Sequence, residues 1–454
     1  MAAGTRNPRL TLTPGWFAFH RFYRVVRDCR LSFSGFGHRE RGTFVSGVIW
    51  KAAPAMANSL SSGKITVRIA IDGSSILPRR TGVGHYTLQL LRHLAQIDSR
   101  NEYVVLLNSL RHALPDEPWM KQANFTIRHF RLPGPALLLA WRYLDRPAIE
   151  QLVGNVDVFH SPASYIPPQQ RGARVTTVHD LYFMRDPESC DFLGGQYLRA
   201  TLPQRLARMD RIIAISESTR DDLIEWFKVP PEKITVVYEG VDSRFVGQVG
   251  NLSGSQTNSL RHDNSAIRAR HGLPDHYILF VGTIEPRKNV ERLIEAYSIV
   301  RNARPDAPPL VIVGGWGKNA RRVDRTTAAL GLSESVLFMG YVEHDELPAI
   351  YRGADLFVLP SLCEGFGLPV LEAMASGVMV VAGDASSLRE LVGKDRGLLV
   401  DPMRPSQIAT GILRALSDKP LRAACIRRGL DFAREMTWER CARQTLAVYE
   451  AVMK

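Results

Sequence analysis

Cysteine is scarce: this chain of 454 residues holds five, scattered as Cys29, Cys190, Cys363, Cys425 and Cys441. The odd count and wide spacing exclude a disulfide framework and a cysteine metal site, and fit a reducing cytoplasmic setting. Long apolar runs are missing too. A spanning helix needs ~20 apolar residues, and the nearest stretch, "LPGPALLLAWRYL" (132–144), is short and interrupted by Pro135 and Arg142. Its leucines read as core. No Asp-x-Asp pair occurs, so neither a metal ion nor another cofactor is implied. A dinucleotide fingerprint fails as well. After Gly82-Val83-Gly84 the third glycine position is Thr87, and the next expected strand ends in Asn108 instead of an acid. That excludes a nicotinamide dehydrogenase.

The net charge is +13, but nine basic residues precede Met56 against only Asp28 and Glu40. The remainder is modestly basic and gives no reason to expect nucleic acid as a partner. The Arg-rich start, with "GWFAFHRFYRVVRDCRL", leaves two readings open. It is a targeting segment or a helix lying on an anionic bilayer, or else disorder or a frame extended beyond a start at Met56. Residues 1–63 are expected to form a basic N-terminal extension, with disorder as one of these readings.

From Lys64 onward, short β-branched runs alternate with helical patterns, which points to an α/β architecture of parallel sheets. Strands are expected at 64–71, 103–107, 126–130, 156–160, 174–178, 211–215 and 234–238. A second series covers 277–282, 310–314, 335–340, 355–360, 378–382 and 397–400. Val290, Leu293, Ile294 and Tyr297 have the i, i+3, i+4, i+7 spacing of a packed helix. Two Rossmann-like doubly wound domains facing a cleft, 64–243 and 266–435, are therefore expected. A Gly/Ser/Asn-rich linker (244–265) would join them, and a helix at 436–454 would pack across both.

In such sheets ligands gather beyond the carboxyl ends of strands. There the chain places "SLCEGFGLPVLEAMASG" (361–377), in which Glu364 and Glu372 are the only charges and no cation is near in sequence. Buried carboxylates need partners, and acceptor-only groups suit sugar or ribose hydroxyls. A solvated loop for Glu364 and a helix-dipole contact for Glu372 are the alternative. Pro369 suits the helix's first turn and Gly377 its end. Arg287 and Lys288, between a strand and a helix, suit an anion such as phosphate. His179-Asp180 follows another strand, where the histidine is structural or part of a reaction centre. Gly82 and Gly84 form a tight turn or an anion-binding loop. Ser216 and Ser218 read as helix caps.

"EGFGLPVLE", "VGTIEPRKN", "GYVEHDELPAIYRGADLFVLPS", "AMASGVMVVA", "TVHDL" and "AISESTRDDLIE" together resemble the retaining, two-domain GT-B glycosyltransferases of family 4, with their E-x7-E pattern. The resemblance runs from Lys64 to the C-terminus. It implies that Glu364 contacts the donor sugar's hydroxyls and Glu372 the nucleotide's ribose, while Phe366, Gly367 and Leu368 present backbone to the donor. It puts Lys288 on the diphosphate, Val342 at the nucleobase and His179 at the reaction centre, while on the functional reading of their loop Gly82 and Gly84 present N–H groups to the donor diphosphate. The family often has Arg five positions before that lysine; this chain has Thr283, so Arg287 is expected to supply the second charge. The implied activity is transfer of a hexose, with mannose from GDP-mannose as the refinement, to a saccharide or lipid-linked acceptor in polysaccharide or glycolipid synthesis. A lipid-linked acceptor would bring peripheral contact with the inner face of a membrane, and residues 132–144 could contact it. A sugar-nucleotide epimerase or phosphorylase of the same fold, and a non-catalytic sugar-nucleotide binding module, remain the competing readings.

Overall fold

The computed structural model describes residues 66–76, 82–110, 112, 115–186, 192–246, 265–318 and 320–453. The expected extension 1–63 and most of the expected linker, 247–264, lie outside the described residues, and so do Arg79, Arg80 and Thr81.

Among the described residues, thirteen strands form where β-branched and apolar residues cluster. The first sheet holds β1 (Arg68–Asp72), β2 (Glu102–Asn108), β3 (Phe125–Phe130), β4 (Val158–Ser161), β5 (Ala173–Val178), β6 (Arg211–Ala214) and β7 (Ile234–Val236). Its order is β3-β2-β1-β4-β5-β6-β7, and every neighbouring pair is parallel. The second sheet holds β8 (Ile278–Val281), β9 (Leu310–Val313), β10 (Val336–Gly340), β11 (Leu356–Leu359), β12 (Met379–Gly383) and β13 (Leu398–Val400), in the order β10-β9-β8-β11-β12-β13. Strands such as "LVIV" and "LFVL" are buried throughout, as parallel strands covered on both faces must be.

Each sheet reverses its order once, between β1 and β4 and between β8 and β11. The crevice beyond these switch points is where a doubly wound sheet receives a ligand. In the second sheet, β8 and β11 are hydrogen-bonded neighbours. The loop carrying Arg287-Lys288 therefore meets the loop carrying Glu364, although about 76 residues separate them in sequence.

The helix Val290–Ala303 buries Val290, Leu293, Ile294 and Tyr297, the face that its spacing marks out. Residues 132–144 do not form core. In the helix Gly134–Tyr143 only Trp141 is buried, its leucines are half-buried, and Tyr143 is 63% exposed. Periodicity reports an apolar face but not whether protein covers it, and here the face borders a cavity. The helix Trp438–Val452 starts at Thr437, whose hydroxyl caps Arg440 N–H, and packs Trp438, Cys441, Ala442, Val448 and Tyr449 into the first sheet's core. The preceding helix, Lys419–Glu435, packs with the second sheet. The chain thus returns to its first half at its end. Among the described residues no helix is long and apolar enough to cross a membrane.

Candidate active site

Glu364 does have cations, supplied from the β8 loop. Lys288 Nζ donates to its Oε1 at 2.6 Å, Arg287 Nη1 to its Oε2 at 2.9 Å, and Ser361 Oγ to its Oε1 at 2.6 Å. All three partners sit on short loops locked together by the Leu362 N–H donating to the Arg287 carbonyl at 2.7 Å. Burial pushes the Glu364 pKa up, but Lys288 and then Arg287 outweigh it and hold the carboxyl at about 2. Arg287 is desolvated, yet Glu364 and then Asp180 hold its pKa above the usual value. Asp180 belongs to the first sheet's β5 loop, so this electrostatic contact crosses the crevice.

Two serines that the sequence reading passed over fix the Glu364 loop. The Glu364 N–H donates to Ser386 Oγ at 2.8 Å, and Ser387 Oγ donates to the Glu364 and Phe366 carbonyls at 2.9 and 2.8 Å. Ser386 holds φ at 41°, the left-handed region that costs a non-glycine residue energy and often marks functional loops. Gly367, at φ 102°, precedes the helix Leu368–Ala375, whose second position is Pro369; Phe366 is buried and Leu368 half-buried. Glu372 sits one turn into that helix and accepts the Tyr351 hydroxyl at 2.9 Å. Burial raises its pKa to about 8, against the lowering effect of Tyr351. Near neutral pH it is largely a neutral acid, able to donate as well as accept. Val342 is buried in the loop that follows β10, at the sheet's edge.

On the facing side, both nitrogens of the His179 ring are engaged. Nε2 lies 2.8 Å from the Pro162 carbonyl and Nδ1 3.3 Å from the buried carboxylate of Glu239, while the ring meets Tyr86 edge-on with centroids 4.9 Å apart. Sequence reasoning missed Glu239; its place just beyond β7, at the carboxyl end of a strand, was the available signal. Beneath this lies buried His160, neutral because burial lowers its pKa to about 3, bridging Tyr449 at 2.6 Å and Thr177 at 2.8 Å.

The expected loop at Gly82 and Gly84 is instead the first turn of the helix Gly82–Ile97. Gly84 is buried there, and a Cβ would lie 2.3 Å from the Ser75 carbonyl oxygen, so close packing demands glycine. Ser216 caps the helix Glu217–Phe227 by accepting Thr219 N–H, whereas Ser218 lies inside it. The remaining N-terminal amides of that helix, Glu217 N–H and Ser218 N–H, donate at 3.0 and 2.7 Å to Glu390 of the second domain. Tyr238 adds a third hydrogen bond to the same carboxylate at 3.1 Å. Nearby, the Gly365 backbone presses on the His179 carbonyl so tightly that a Cβ would lie 2.0 Å from its oxygen.

A cavity of about 510 Å³ opens at the carboxyl ends of the first sheet, with His179 and Asp180 in its lining.

Comparison with known proteins gives a consistent set of likenesses. The family model described as "Glycosyl transferases group 1" matches residues 263–432, and "Glycosyltransferase Family 4" matches residues 80–245. O-antigen chain mannosyltransferase B of Escherichia coli is 31% identical over 381 residues, covering 82% of this chain and 96% of that protein. Sucrose-phosphate synthase of Thermosynechococcus elongatus superposes with a TM-score of 0.68 at 21% identity, over 85% of this chain and 99% of the other. Anabaena Alr3699/HepE, solved in complex with UDP-glucose, gives a TM-score of 0.62 at 19% identity over 85% and 100%.

Proposed function

From the premise that this chain belongs to the family 4 glycosyltransferases of GT-B fold, we propose that it moves a hexose from a nucleotide sugar to an acceptor with retention of configuration. The proposed donor is GDP-mannose, in keeping with the 31% identity to O-antigen chain mannosyltransferase B. The proposed acceptor is a saccharide or lipid-linked saccharide of a growing polysaccharide or glycolipid, reached from the cytoplasmic face of a membrane. The observation that carries the reading is the Glu364–Lys288–Arg287–Ser361 cluster at the second sheet's switch point.

Its stoichiometry supports a donor site. An ionised carboxylate offers about four lone-pair sites; Lys288, Arg287 and Ser361 occupy three, which leaves one for a sugar hydroxyl. Lys288 uses one of its three donors on Glu364, so the others can face a diphosphate. Glu372, one helical turn beyond the Phe366–Leu368 backbone, would meet the ribose. The β10 loop with Val342 lies two strand spacings, ~10 Å, from the β8 loop, which suits a base at the far end of the nucleoside.

In the proposed reaction the C1–O bond to the diphosphate breaks and an acceptor hydroxyl bonds to C1 on the same face. The hydroxyl proton passes to the departing phosphate oxygen. Lys288 and Arg287 stabilise the charge that develops there, which is electrostatic catalysis without a metal ion. At ~4 Å and an effective dielectric of ~20, one cation offers about 4 kcal/mol before desolvation. His179, held by Glu239 and Pro162, orients the donor sugar.

Proton NMR of the reaction of GDP-mannose with a mannoside acceptor tests this. The expected result is one α-mannosyl product per GDP released, at a rate unchanged by EDTA. A β-linked product, a free epimerised sugar nucleotide formed without acceptor, or loss of activity with EDTA would each refute part of it.

A further inference from the structure

The cavity on the first sheet is built for something larger and less polar than a sugar. The strand order β3-β2-β1-β4-β5 lays Phe130, Asn108, Asp72 and His179 along one carboxyl edge, a span of about 19 Å at four strand spacings. Its charged and titratable lining groups are Asp72 at the end of β1 and His179 and Asp180 after β5, with Asn108 at the end of β2 among the neutral polar ones. Its apolar wall comes from Leu106, Phe130, Leu137, Leu138, Trp141 and Phe183. Leu137 and Leu138 are only half-buried, and Leu132 and Tyr143, on the same segment, are exposed at 36% and 63%. Apolar surface left open inside a cavity is the usual mark of a ligand site. Trp141, 4% exposed, belongs to the same apolar wall. The described lining contains Asp72 and Asp180 but no Lys or Arg, which disfavours an anionic group beside the reacting hydroxyl.

We propose that this cavity binds an acceptor made of an uncharged sugar joined to an apolar aglycone. The sugar's reactive hydroxyl lies by Asp72, His179 and Asp180, and the aglycone lies along the Gly134–Tyr143 helix against Leu137, Leu138 and Trp141. The proposal rests on the glycosyl-transfer reading and names the acceptor class that reading leaves open.

The test is a chain-length series with the full-length protein: methyl, butyl and octyl α-D-mannopyranoside, each below its micelle concentration, with GDP-mannose as donor. Each fully buried methylene strengthens binding about three- to fourfold, so KM for the acceptor should fall at least tenfold from methyl to octyl. Leu138→Asn should shrink that ratio several-fold. A KM flat within twofold across the series in the wild-type protein overturns the proposal, with no variant needed. Calorimetric titration of the same glycosides in the presence of GDP separates the two claims. Affinity rising with chain length supports the aglycone site even where GDP-mannose is not turned over, and that failure counts against the proposed function alone. Equal affinity for the methyl and octyl glycosides overturns the aglycone site whatever the turnover.

Discussion

Glu364 and Glu372 stand eight positions apart in one loop and helix, yet their surroundings drive them to opposite protonation states. Glu364 is paired twice and stays ionised down to about pH 2. Glu372 has one hydroxyl partner, and burial raises its pKa to about 8. Its neutral form is therefore the one the fold prefers, so its contribution to stability is complete below pH ~4.5 and lost as pH rises toward 8. Glu372→Gln, which stays neutral, should lose less Tm than the parent between pH 5 and pH 8, by a degree or more; equal slopes in thermal melts across that range would contradict the assignment. Glu239 is the other decisive residue. With its carboxylate 3.3 Å from His179 Nδ1, Glu239→Gln should lower kcat about tenfold and alter the pH–rate profile, leaving donor KM within twofold. A change in donor KM alone would show that it only supports packing.

At the level of elements, the thirteen strands of the described residues form close to where β-branched runs place them, because fully buried parallel strands leave a continuous apolar trace in the sequence. What the trace does not carry is order. Nothing in "VGTIEPRKN" or "SLCEGFG" says that β8 and β11 are neighbours, so the ion pairs of Glu364 were invisible, although each residue stood out by itself. The cavity wall at Leu137 and Leu138 misleads for a related reason, since an apolar helix face looks the same whether a core or a ligand covers it. Gly365 packs across the crevice in the folded chain, with its α-carbon against the His179 carbonyl. Gly365→Ala must push the His179 loop aside, and a displacement near 1 Å can cost up to ~10²-fold in rate. The expected outcome in steady-state kinetics is a kcat at least tenfold lower with donor affinity retained. Unchanged kcat would mean that the contact has no part in catalysis.

For the molecule as a whole, loops of the two sheets are joined by contacts such as Gly365 on His179 and Glu390 on the N-terminus of the helix Glu217–Phe227, while the charge of Asp180 acts on Arg287 from the other sheet's loops. A carboxylate is well placed on that positive helix end. Each of these joins residues from opposite halves of the chain, and the C-terminal helix is tied back to the first sheet by the Tyr449–His160 hydrogen bond. The proposed reaction centre draws its residues from both halves, with His179 and Glu239 from one and Lys288, Arg287 and Glu364 from the other. The most direct test of the donor grip is calorimetric titration of wild-type protein, Glu364→Ala and Lys288→Ala with GDP and GDP-mannose. Wild type should bind GDP-mannose more tightly than GDP, Glu364→Ala should erase this difference while still binding GDP, and Lys288→Ala should weaken both at least tenfold. Undiminished preference for GDP-mannose in Glu364→Ala, or full GDP affinity in Lys288→Ala, would contradict that grip.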